Sequence, residues 1–275
     1  AVGETKEAFM SNISEERLEL LKDIEHSFDE NINRPDYARK LYLIENCIYG
    51  VDIQPIAIQI SKLRFFISLV VDQKTNTNPV DNFGIRPLPN LEAKFVAANT
   101  LIGLEKKEAT LFDSEEIKKK EKELVLAKHK IFGAKTVRTK RKYKVRVAEL
   151  RVEIANMLKE TNYIRNEEAL QLAEWDMFDQ NASSPFFDSE WMFGINNGFD
   201  IVIGNPPYLR VQGLRENYQK ESKYYEKKYK SATGRFDFYV LFMECGFNML
   251  TMNGVLSYII PNKFIISDFG IGIRK

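Results

Sequence analysis

Cysteine and histidine, the residues that most often build disulfide frameworks and zinc sites, are scarce in this sequence. Its 275 residues include only Cys47, Cys245, His26 and His129 of these two types. Two cysteines cannot form a disulfide framework, which favours a reducing compartment and predicts a cytoplasmic protein. Two histidines argue against a histidine-rich zinc site, so we expect no metal.

Long apolar runs are missing as well. No stretch approaches the roughly 20 apolar residues that a helix needs to cross a bilayer, so we expect no membrane partner. A mainly disordered chain is excluded, because 44% of the residues are hydrophobic and 12% are aromatic. The length allows one large domain or two small ones, each with a buried core.

The chain has almost no net charge, but its charge is unevenly distributed. The formal net charge is +1, whereas residues 118–151 hold 14 Lys and Arg against three Glu, and residues 210–235 hold eight against three. Basic groups neutralise phosphates, and aromatic rings among them can stack on bases. The second stretch carries four such rings, Tyr218, Tyr224, Tyr225 and Tyr229. Each basic run also fits a plain solvated helix face.

Short apolar strands alternate with helices on both sides of the first basic run. The pattern predicts strands at 47–53, 93–98, 199–204 and 255–260, and helices at 37–44, 56–71 and 236–250. This order is typical of a parallel, doubly wound sheet, so the expected fold class is α/β. Ligands bind beyond the carboxyl ends of such strands, and Asp52, Asn99 and Asn205 all fall there.

The middle of the chain, 105–174, has a different composition. It lacks proline and is rich in Lys, Glu, Leu and Ile, which predicts two or three helices with a break at Gly133. We interpret residues 135–144 as a basic connection between two of these helices. The whole segment is expected to be a helical insertion that stands off the sheet.

The segment Asn205-Pro206-Pro207-Tyr208 carries the most specific chemistry. Two prolines fix the backbone and remove two N–H donors, which leaves the Asn205 side-chain oxygen and the Pro206 carbonyl as acceptors. These acceptors match the two N–H groups of a planar amine, and Tyr208 adds a flat face for stacking. Holding both hydrogens would aim the nitrogen lone pair at an electrophile such as a sulfonium methyl. The plainer alternative is a proline-rich strand terminator.

Four runs resemble S-adenosylmethionine-dependent N6-adenine DNA methyltransferases, and in particular the large restriction–modification enzymes of types IIG and IIS. They are Phe199-Asp-Ile-Val-Ile-Gly-Asn-Pro-Pro-Tyr208, Ile48-Tyr-Gly-Val-Asp-Ile-Gln-Pro-Ile-Ala-Ile-Gln-Ile-Ser-Lys-Leu-Arg64, Asp237-Phe-Tyr-Val-Leu-Phe-Met-Glu244 and Gly254-Val-Leu-Ser-Tyr-Ile-Ile-Pro-Asn-Lys-Phe264. The resemblance implies a Rossmann-like methyltransferase sheet, S-adenosylmethionine as cofactor and double-stranded DNA as partner.

The resemblance also implies roles for individual residues. Asp52 would accept hydrogen bonds from the cofactor ribose, with Ile53 beside it. Asn99 would lie near the cofactor adenine, and Asn205 would also contact the cofactor. The target amine would be held at residues 205–208, where Tyr208 stacks on a flipped base. Asp52 and Asn99 also fit ordinary turn positions. The DNA-binding candidates are Lys140, Arg141, Lys142, Lys144, Arg210 and Phe269. Phe264 is an alternative to Phe269 for stacking on the other face of the base, and both also fit the core.

The chain departs from the family pattern at its amino end. Such enzymes carry a Phe-x-Gly-x-Gly loop after their first strand, whereas residues 1–47 contain one glycine, Gly3. We expect that loop upstream of Ala1, so that the sheet is incomplete in this chain, and a target-recognition domain downstream. Both would belong to the remainder of the same polypeptide. The isolated segment is then expected to bind S-adenosylmethionine weakly and to transfer no methyl groups.

These expectations divide the chain into three parts. Residues 1–104 would form the amino-terminal part of the methyltransferase domain, 105–174 the basic helical insertion and 175–275 the catalytic half. The function expected is part of a DNA adenine-N6 methyltransferase of a restriction–modification or phage-defence enzyme. Two alternatives stay open: another amine or amide methyltransferase acting on RNA or protein glutamine, and a non-catalytic DNA-binding module.

Overall fold

The computed structural model describes residues 35–85, 91–104, 115–132, 137–160, 166–210, 212 and 219–274. The strands in this part are β1 (Gly50–Asp52), β2 (Phe95–Ala97), β3 (Phe199–Gly204) and β4 (Leu250–Tyr258). The helices in this part are α1 (Pro35–Asn46), α2 (Pro55–Val70), α3 (Glu115–Phe132), α4 (Val137–Glu160), α5 (Asn166–Glu174), α6 (Ser189–Phe193), α7 (Gln219–Lys228), α8 (Phe238–Asn248) and α9 (Ile271–Arg274). Gly133, Lys135, Tyr218 and the side chain of Phe269 lie outside the described residues.

The four strands form two parallel pairs. In the first pair, β1 lies beside β2 with Gly50 opposite Phe95 and Asp52 opposite Ala97. In the second, β3 lies beside β4 with Gly204 opposite Tyr258. The strands and helices predicted from the sequence are thus present and the α/β class is confirmed. The end of each pair carries a segment that the sequence marked for function.

Strand β4 begins earlier than predicted and contains an irregularity. Phe199 lies opposite Leu250 but Ile201 lies opposite Val255, so β4 uses three more residues than β3 over this stretch. Residues 252–254, which lie between the predicted helix and the predicted strand, therefore form a bulge inside a strand. Gly254 fits there because a Cβ atom would lie 2.9 Å from the Phe199 carbonyl oxygen.

The two pairs are not joined by backbone hydrogen bonds in the described part of the chain. One edge of β1 is occupied by β2 and one edge of β3 by β4, and the opposite edges are unpaired there. At the amino ends, Tyr49 and Phe199 bridge the pairs through ring centroids 6.0 Å apart. We refer to the space between the unpaired edges of β1 and β3 as the strand opening.

Helix α2 is covered on one face only. It begins at Pro55, whose fixed φ and missing N–H suit a first helical position. Ile58 and Leu69 are buried with Phe95 and Ala97 of β2. The opposite face is apolar and more than half exposed at Ile56, Ile60, Leu63 and Ile67. The predicted helix is correct, and its uncovered apolar stripe marks a surface suited to further packing.

The segment between β2 and β3 packs into the main core, which corrects the expectation that it stands off the sheet. Helix α4 lies along both α3 and α5. Leu124 of α3 and Leu150 and Ile154 of α4 share one buried cluster with Val96 of β2 and Trp191. The apolar faces of these helices are thus an integral part of the protein interior.

The basic stretch that we interpreted as a connection is also helical. Residues 137–144 form the first two turns of α4, so the interpretation of these residues as a connection was wrong. Lys and Arg have high helix propensity, and positive charge alone does not interrupt a helix. Ion pairs then join α4 to α3: Arg146 contacts Glu123 at 2.6 Å, and Glu153 contacts Lys120 at 2.6 Å.

In the tyrosine-rich stretch, residues 219–228 form helix α7, which packs on α8. Tyr225 and Tyr229 are buried, with Phe236 and Tyr239, in a second cluster. They cannot stack on bases in this arrangement, contrary to the sequence interpretation. Among the described residues, no helix combines the length and the hydropathy required to cross a membrane.

Candidate active site

Asp52 lies at the carboxyl end of β1 and its carboxylate is exposed. Its Oδ1 accepts a hydrogen bond from the Gln54 N–H at 2.8 Å, which shapes the turn into α2. Its carbonyl accepts from the Ala98 N–H at 2.9 Å and fixes it beside β2. In the described part of the chain Oδ2 has no partner, so this oxygen can accept from a ligand hydroxyl.

Ile53 follows with its side chain 61% exposed. Its carbonyl accepts a hydrogen bond from the Ser183 hydroxyl at 3.0 Å. The backbone is therefore held while the apolar side chain faces outward, which suits contact with a flat apolar surface.

Asn99 lies two residues beyond the end of β2, next to Asp52 on the same rim. Its N–H donates to the Ser184 carbonyl at 3.0 Å, and its Oδ1 accepts from the Leu101 N–H at 3.2 Å. Its Nδ2 donates to the Tyr225 hydroxyl in a long contact of 3.5 Å. Both ends of the Asn99 amide are thus oriented by the protein.

The Asn-Pro-Pro-Tyr segment, residues 205–208, leaves the end of β3. The Tyr208 hydroxyl lies 2.8 Å from the Ile259 carbonyl oxygen and 3.2 Å from Asn205 Oδ1. A hydroxyl carries one proton, and the nearer carbonyl is the better acceptor. Asn205 is exposed, and its side-chain oxygen is therefore available to a substrate amine.

The ring of Tyr208 is held edge-on against Tyr239 of α8. The ring centroids are 6.3 Å apart and the planes make an angle of 88°. Tyr208 nevertheless remains 53% exposed. An aromatic ring that is fixed on one edge and open on a face is suited to stacking against another ring.

Backbone contacts hold the far side of the segment against the start of α8. The Phe238 N–H donates to the Leu209 carbonyl at 2.7 Å, and Arg210 forms an antiparallel bridge with Asp237. Arg210 is exposed. Phe264 is half-buried, with its ring centroid 6.4 Å from that of Tyr239. Phe269 lies in a short 3-10 turn, Asp268–Gly270.

The predicted DNA-binding residues of α4 differ in their surroundings. Arg141 and Lys142 are exposed and, with Arg138, line an open groove of about 810 Å³. Lys144 is half-buried, with its ammonium 4.5 Å from the centre of the Phe178 ring. Lys140 is also half-buried. The groove therefore points to Arg138, which the sequence interpretation missed, as a third exposed cation.

The sequence interpretation also missed the contribution of α7 to the site. Tyr224, Tyr225 and Tyr229 all reach the loop after β2. The helical spacing of Ser222, Tyr225 and Tyr229 is the signal that could have shown a buried face, since residues three and four apart share one side of a helix.

A family model described as Eco57I restriction-modification methylase matches residues 46–275. The match covers most of the chain, including both strand pairs. The chain belongs to the Eco57I restriction-modification methylase family. Within this family assignment, Asp52, Asn99 and residues 205–208 all fall inside the matched region.

Relatives of this Eco57I-family chain carry consistent names. It is 42% identical over 80 residues to the type II restriction enzyme and methyltransferase RM.Eco57I of Escherichia coli, over 29% of this chain and 8% of the relative. It is 26% identical to the putative type II restriction enzyme and methyltransferase RM.MjaORFECS2P of Methanocaldococcus jannaschii, over 97% of this chain and 25% of the relative. It is 34% identical over 77 residues to the type II methyltransferase M.BstVI of Geobacillus stearothermophilus, over 28% of this chain and 13% of the relative. The chain thus spans a quarter or less of each.

Proposed function

We propose that this chain is part of a DNA methyltransferase that transfers a methyl group from S-adenosylmethionine to N6 of adenine in a restriction–modification enzyme. The observation that carries the proposal is the exposed Asn205 side chain at the end of a parallel strand, beside the exposed Tyr208. With the carbonyl of the buried Pro206 it would form a pair of acceptors. Family membership supports DNA methylation as the reaction. The acceptor pair supports an exocyclic amine as its target.

The strand-end residues fit the proposed cofactor. Asp52 has a carboxylate oxygen open to the ribose hydroxyls, Ile53 offers an apolar surface to the adenine, and Asn99 lies on the same rim. When bound, S-adenosylmethionine supplies an electrophilic methyl group on a sulfonium centre. The task left to the protein is to position the amine and exclude competing nucleophiles.

Residues 205–208 would hold and orient that amine. Asn205 Oδ1 and the Pro206 carbonyl accept its two N–H bonds, and neither Pro206 nor Pro207 has an N–H that could compete. The nitrogen lone pair then points away from the ring plane and toward the methyl group. A strong general base is unnecessary, because the amine loses its proton after it has gained the methyl group.

Tyr208 would stack on the target base. A base in a duplex is shielded by its neighbours, so an enzyme that modifies adenine N6 takes the base out of the stack. The exposed face of Tyr208, with its edge fixed by Tyr239, offers a support for the extruded ring. Phe264 and Phe269 are the proposed residues for the opposite face.

Two basic surfaces would contact the phosphate backbone. The first is the groove of α4 with Arg138, Arg141 and Lys142. The second is the outer face of α7, where Lys220, Lys223 and Lys227 are exposed on the side opposite to the buried tyrosines. Arg210 lies between the Asn-Pro-Pro-Tyr segment and α7 in the chain and belongs with this second surface. Such contacts supply affinity without reading sequence.

A Rossmann-like sheet would be completed by a strand in the strand opening. The unpaired edges of β1 and β3 are both available to a parallel strand, and the exposed stripe of α2 is suited to further packing. We propose that this strand and its glycine-rich loop come from the remainder of the polypeptide. The proposed parts remain 1–104, 105–174 and 175–275, although the second shares its core with its neighbours.

The alternatives are less well supported. Methylation of RNA or protein glutamine is compatible with residues 205–208, but the relatives are named as type II restriction enzymes and methyltransferases. A non-catalytic DNA-binding module would have no use for an exposed Asn205 acceptor beside an exposed Tyr208 at the end of a strand. DNA methylation explains both observations together.

The test is methyl transfer by the full-length protein carrying Asn205→Ala. We expect loss of N6-methyladenine, measured by mass spectrometry of digested duplex DNA, with an unchanged circular dichroism spectrum. Asn253→Ala is the matched control, because Asn253 is also exposed but lies in the bulge of β4. Retained methylation in Asn205→Ala, or methylation at cytosine instead of adenine, would refute the proposal.

A further inference from the structure

Helix α7 and Tyr229, the residue directly after it, hold the loop after β2 through three tyrosine hydroxyls. The Tyr229 hydroxyl donates to the Leu101 carbonyl at 2.8 Å, and the Tyr224 hydroxyl accepts from the Gly103 N–H at 3.3 Å. Between these two, the Tyr225 hydroxyl accepts from the Asn99 side-chain amide. Residues distant in the sequence thus fix consecutive parts of one loop.

Of the three contacts, the one from Tyr225 reaches a side chain and the other two reach the backbone. It orients the Asn99 amide group, whose other end is held by the Leu101 N–H at 3.2 Å. With Nδ2 directed to Tyr225 and Oδ1 directed to the Leu101 N–H, the amide has one orientation. The second lone pair of Oδ1 remains available to an amino group.

Tyr225 is itself firmly placed. It is buried, and its ring packs edge-on against Phe238 at a centroid distance of 5.5 Å. Burial also raises the pKa of its hydroxyl, which keeps the group protonated. Phe238 in turn donates its N–H to Leu209, one residue after Tyr208. Tyr225 therefore lies between the loop that carries Asn99 and the segment that carries Asn205.

We infer that Tyr225 is a positioning residue for cofactor recognition, which orients the Asn99 amide so that its oxygen can accept from the adenine amino group of S-adenosylmethionine. This inference rests on the proposed cofactor role of Asn99. The hydroxyl acts on affinity for the cofactor and does not touch the reacting atoms. Its removal should therefore raise the KM for S-adenosylmethionine and leave kcat at saturating cofactor unchanged.

The test is a double-mutant cycle in the full-length protein. Tyr225→Phe removes the hydroxyl and keeps the ring, and should weaken S-adenosylmethionine binding about three- to tenfold by calorimetry. Asn99→Ala should weaken it at least as much. The double variant should resemble Asn99→Ala alone, because a residue that acts through Asn99 has no effect once Asn99 is gone.

Tyr224→Phe is the matched control, since it removes a hydroxyl of the same helix that contacts the Gly103 backbone and neither Asn99 nor Leu101. Its effect on cofactor affinity should add to that of Asn99→Ala. Additive losses for Tyr225→Phe and Asn99→Ala, or a fall in kcat at saturating cofactor, would overturn the positioning role alone. Unchanged cofactor affinity in Asn99→Ala would instead overturn the proposed role of Asn99, and with it this inference.

Discussion

The Tyr208 hydroxyl lies 2.8 Å from the carbonyl oxygen of Ile259, which ties the loop after β3 to the residue that follows the end of β4. The contact fixes the Asn-Pro-Pro-Tyr segment across both strands of the pair. It also separates two contributions of Tyr208, because the hydroxyl anchors the loop while the ring is free to stack.

Substitutions of Tyr208 should separate these two contributions. Tyr208→Phe keeps the ring and should retain most methylation activity in the full-length protein. Tyr208→Ala removes the stacking surface, which is worth about 1–3 kcal/mol per base. DNA with a flipped adenine should then bind roughly 5- to 150-fold more weakly. Fluorescence of 2-aminopurine at the target position measures extrusion directly. Equal losses in both variants would contradict a stacking role.

The groove of α4 should contribute to DNA affinity through charge. Reversal of Arg141 and Lys142 to Glu should weaken binding and reduce the slope of log K against log salt by about one to two. Reversal of Lys119 and Lys122 is the matched control, because these exposed lysines of α3 lie in the same basic stretch but outside the groove. Fluorescence anisotropy across a salt series distinguishes the two pairs. Equal salt slopes for the two pairs would indicate that the groove is an ordinary solvated helix face with no role in DNA binding.

Reversal of Lys140 and Lys144, the other two predicted DNA contacts, should have a smaller effect on the salt slope. Both are half-buried, and Lys144 is placed over Phe178. We expect their loss to lower the melting temperature more than the DNA affinity. A change in salt slope as large as that for Arg141 and Lys142 would contradict this division.

Lys128 should make stability depend on pH. It is buried and donates to the Trp191 carbonyl at 2.7 Å and the Met192 carbonyl at 3.3 Å, near the end of α6. Burial, with a smaller contribution from nearby Arg151, lowers its pKa from 10.5 to about 7. Above pH 7 the unfolded chain therefore holds a proton that the folded chain has released. The free energy of unfolding should rise as pH increases through this window.

Lys128→Met should flatten that rise, because methionine fills similar space and does not titrate. Urea denaturation between about pH 7 and pH 8 measures this slope, below the ordinary cysteine pKa of about 8.5. Lys122→Met, on the exposed face of the same helix, should keep the original slope. An identical slope in Lys128→Met would show that Lys128 remains protonated in the folded protein.

The strand opening predicts a difference between this chain and a longer polypeptide. We expect the 275-residue chain to bind S-adenosylmethionine weakly and to transfer no methyl groups, because the proposed central strand and its glycine-rich loop are supplied from elsewhere. Calorimetry on both polypeptides tests this. Micromolar binding by the 275-residue chain would show that Asp52, Ile53 and Asn99 suffice.

The strands and their ends could be predicted because local signals agreed there. Asp52 and Asn205 each follow a short apolar run and precede a proline. The signals for a strand, for its end and for the following turn therefore all occur within a few residues. The α2 helix was equally clear from its apolar length. The exposure of its apolar stripe could not be predicted, because a sequence shows that a helix face is apolar but does not show what covers it.

The errors arose where one composition fits two structures. A run of lysines and arginines is compatible with a linker and with an exposed helix. The high helix propensity of these residues favours the helix, and they form the start of α4. Tyrosines among basic residues fit base stacking and core packing alike. Tyr225 of α7 and Tyr229, directly after it, are core residues, because both pack with Leu101 and Phe236.

The Tyr49–Phe199 contact brings the amino ends of β1 and β3 together, and above it the outer edges of both strands have no partner strand among the described residues. Exposed edges flanked by apolar side chains such as Ile201 and Ile203 are templates for intermolecular β-pairing. When the 275-residue chain is produced by itself, self-association should therefore compete with folding as its concentration rises. The solubility of this part of the protein would then depend on what covers the strand opening as much as on its own surface.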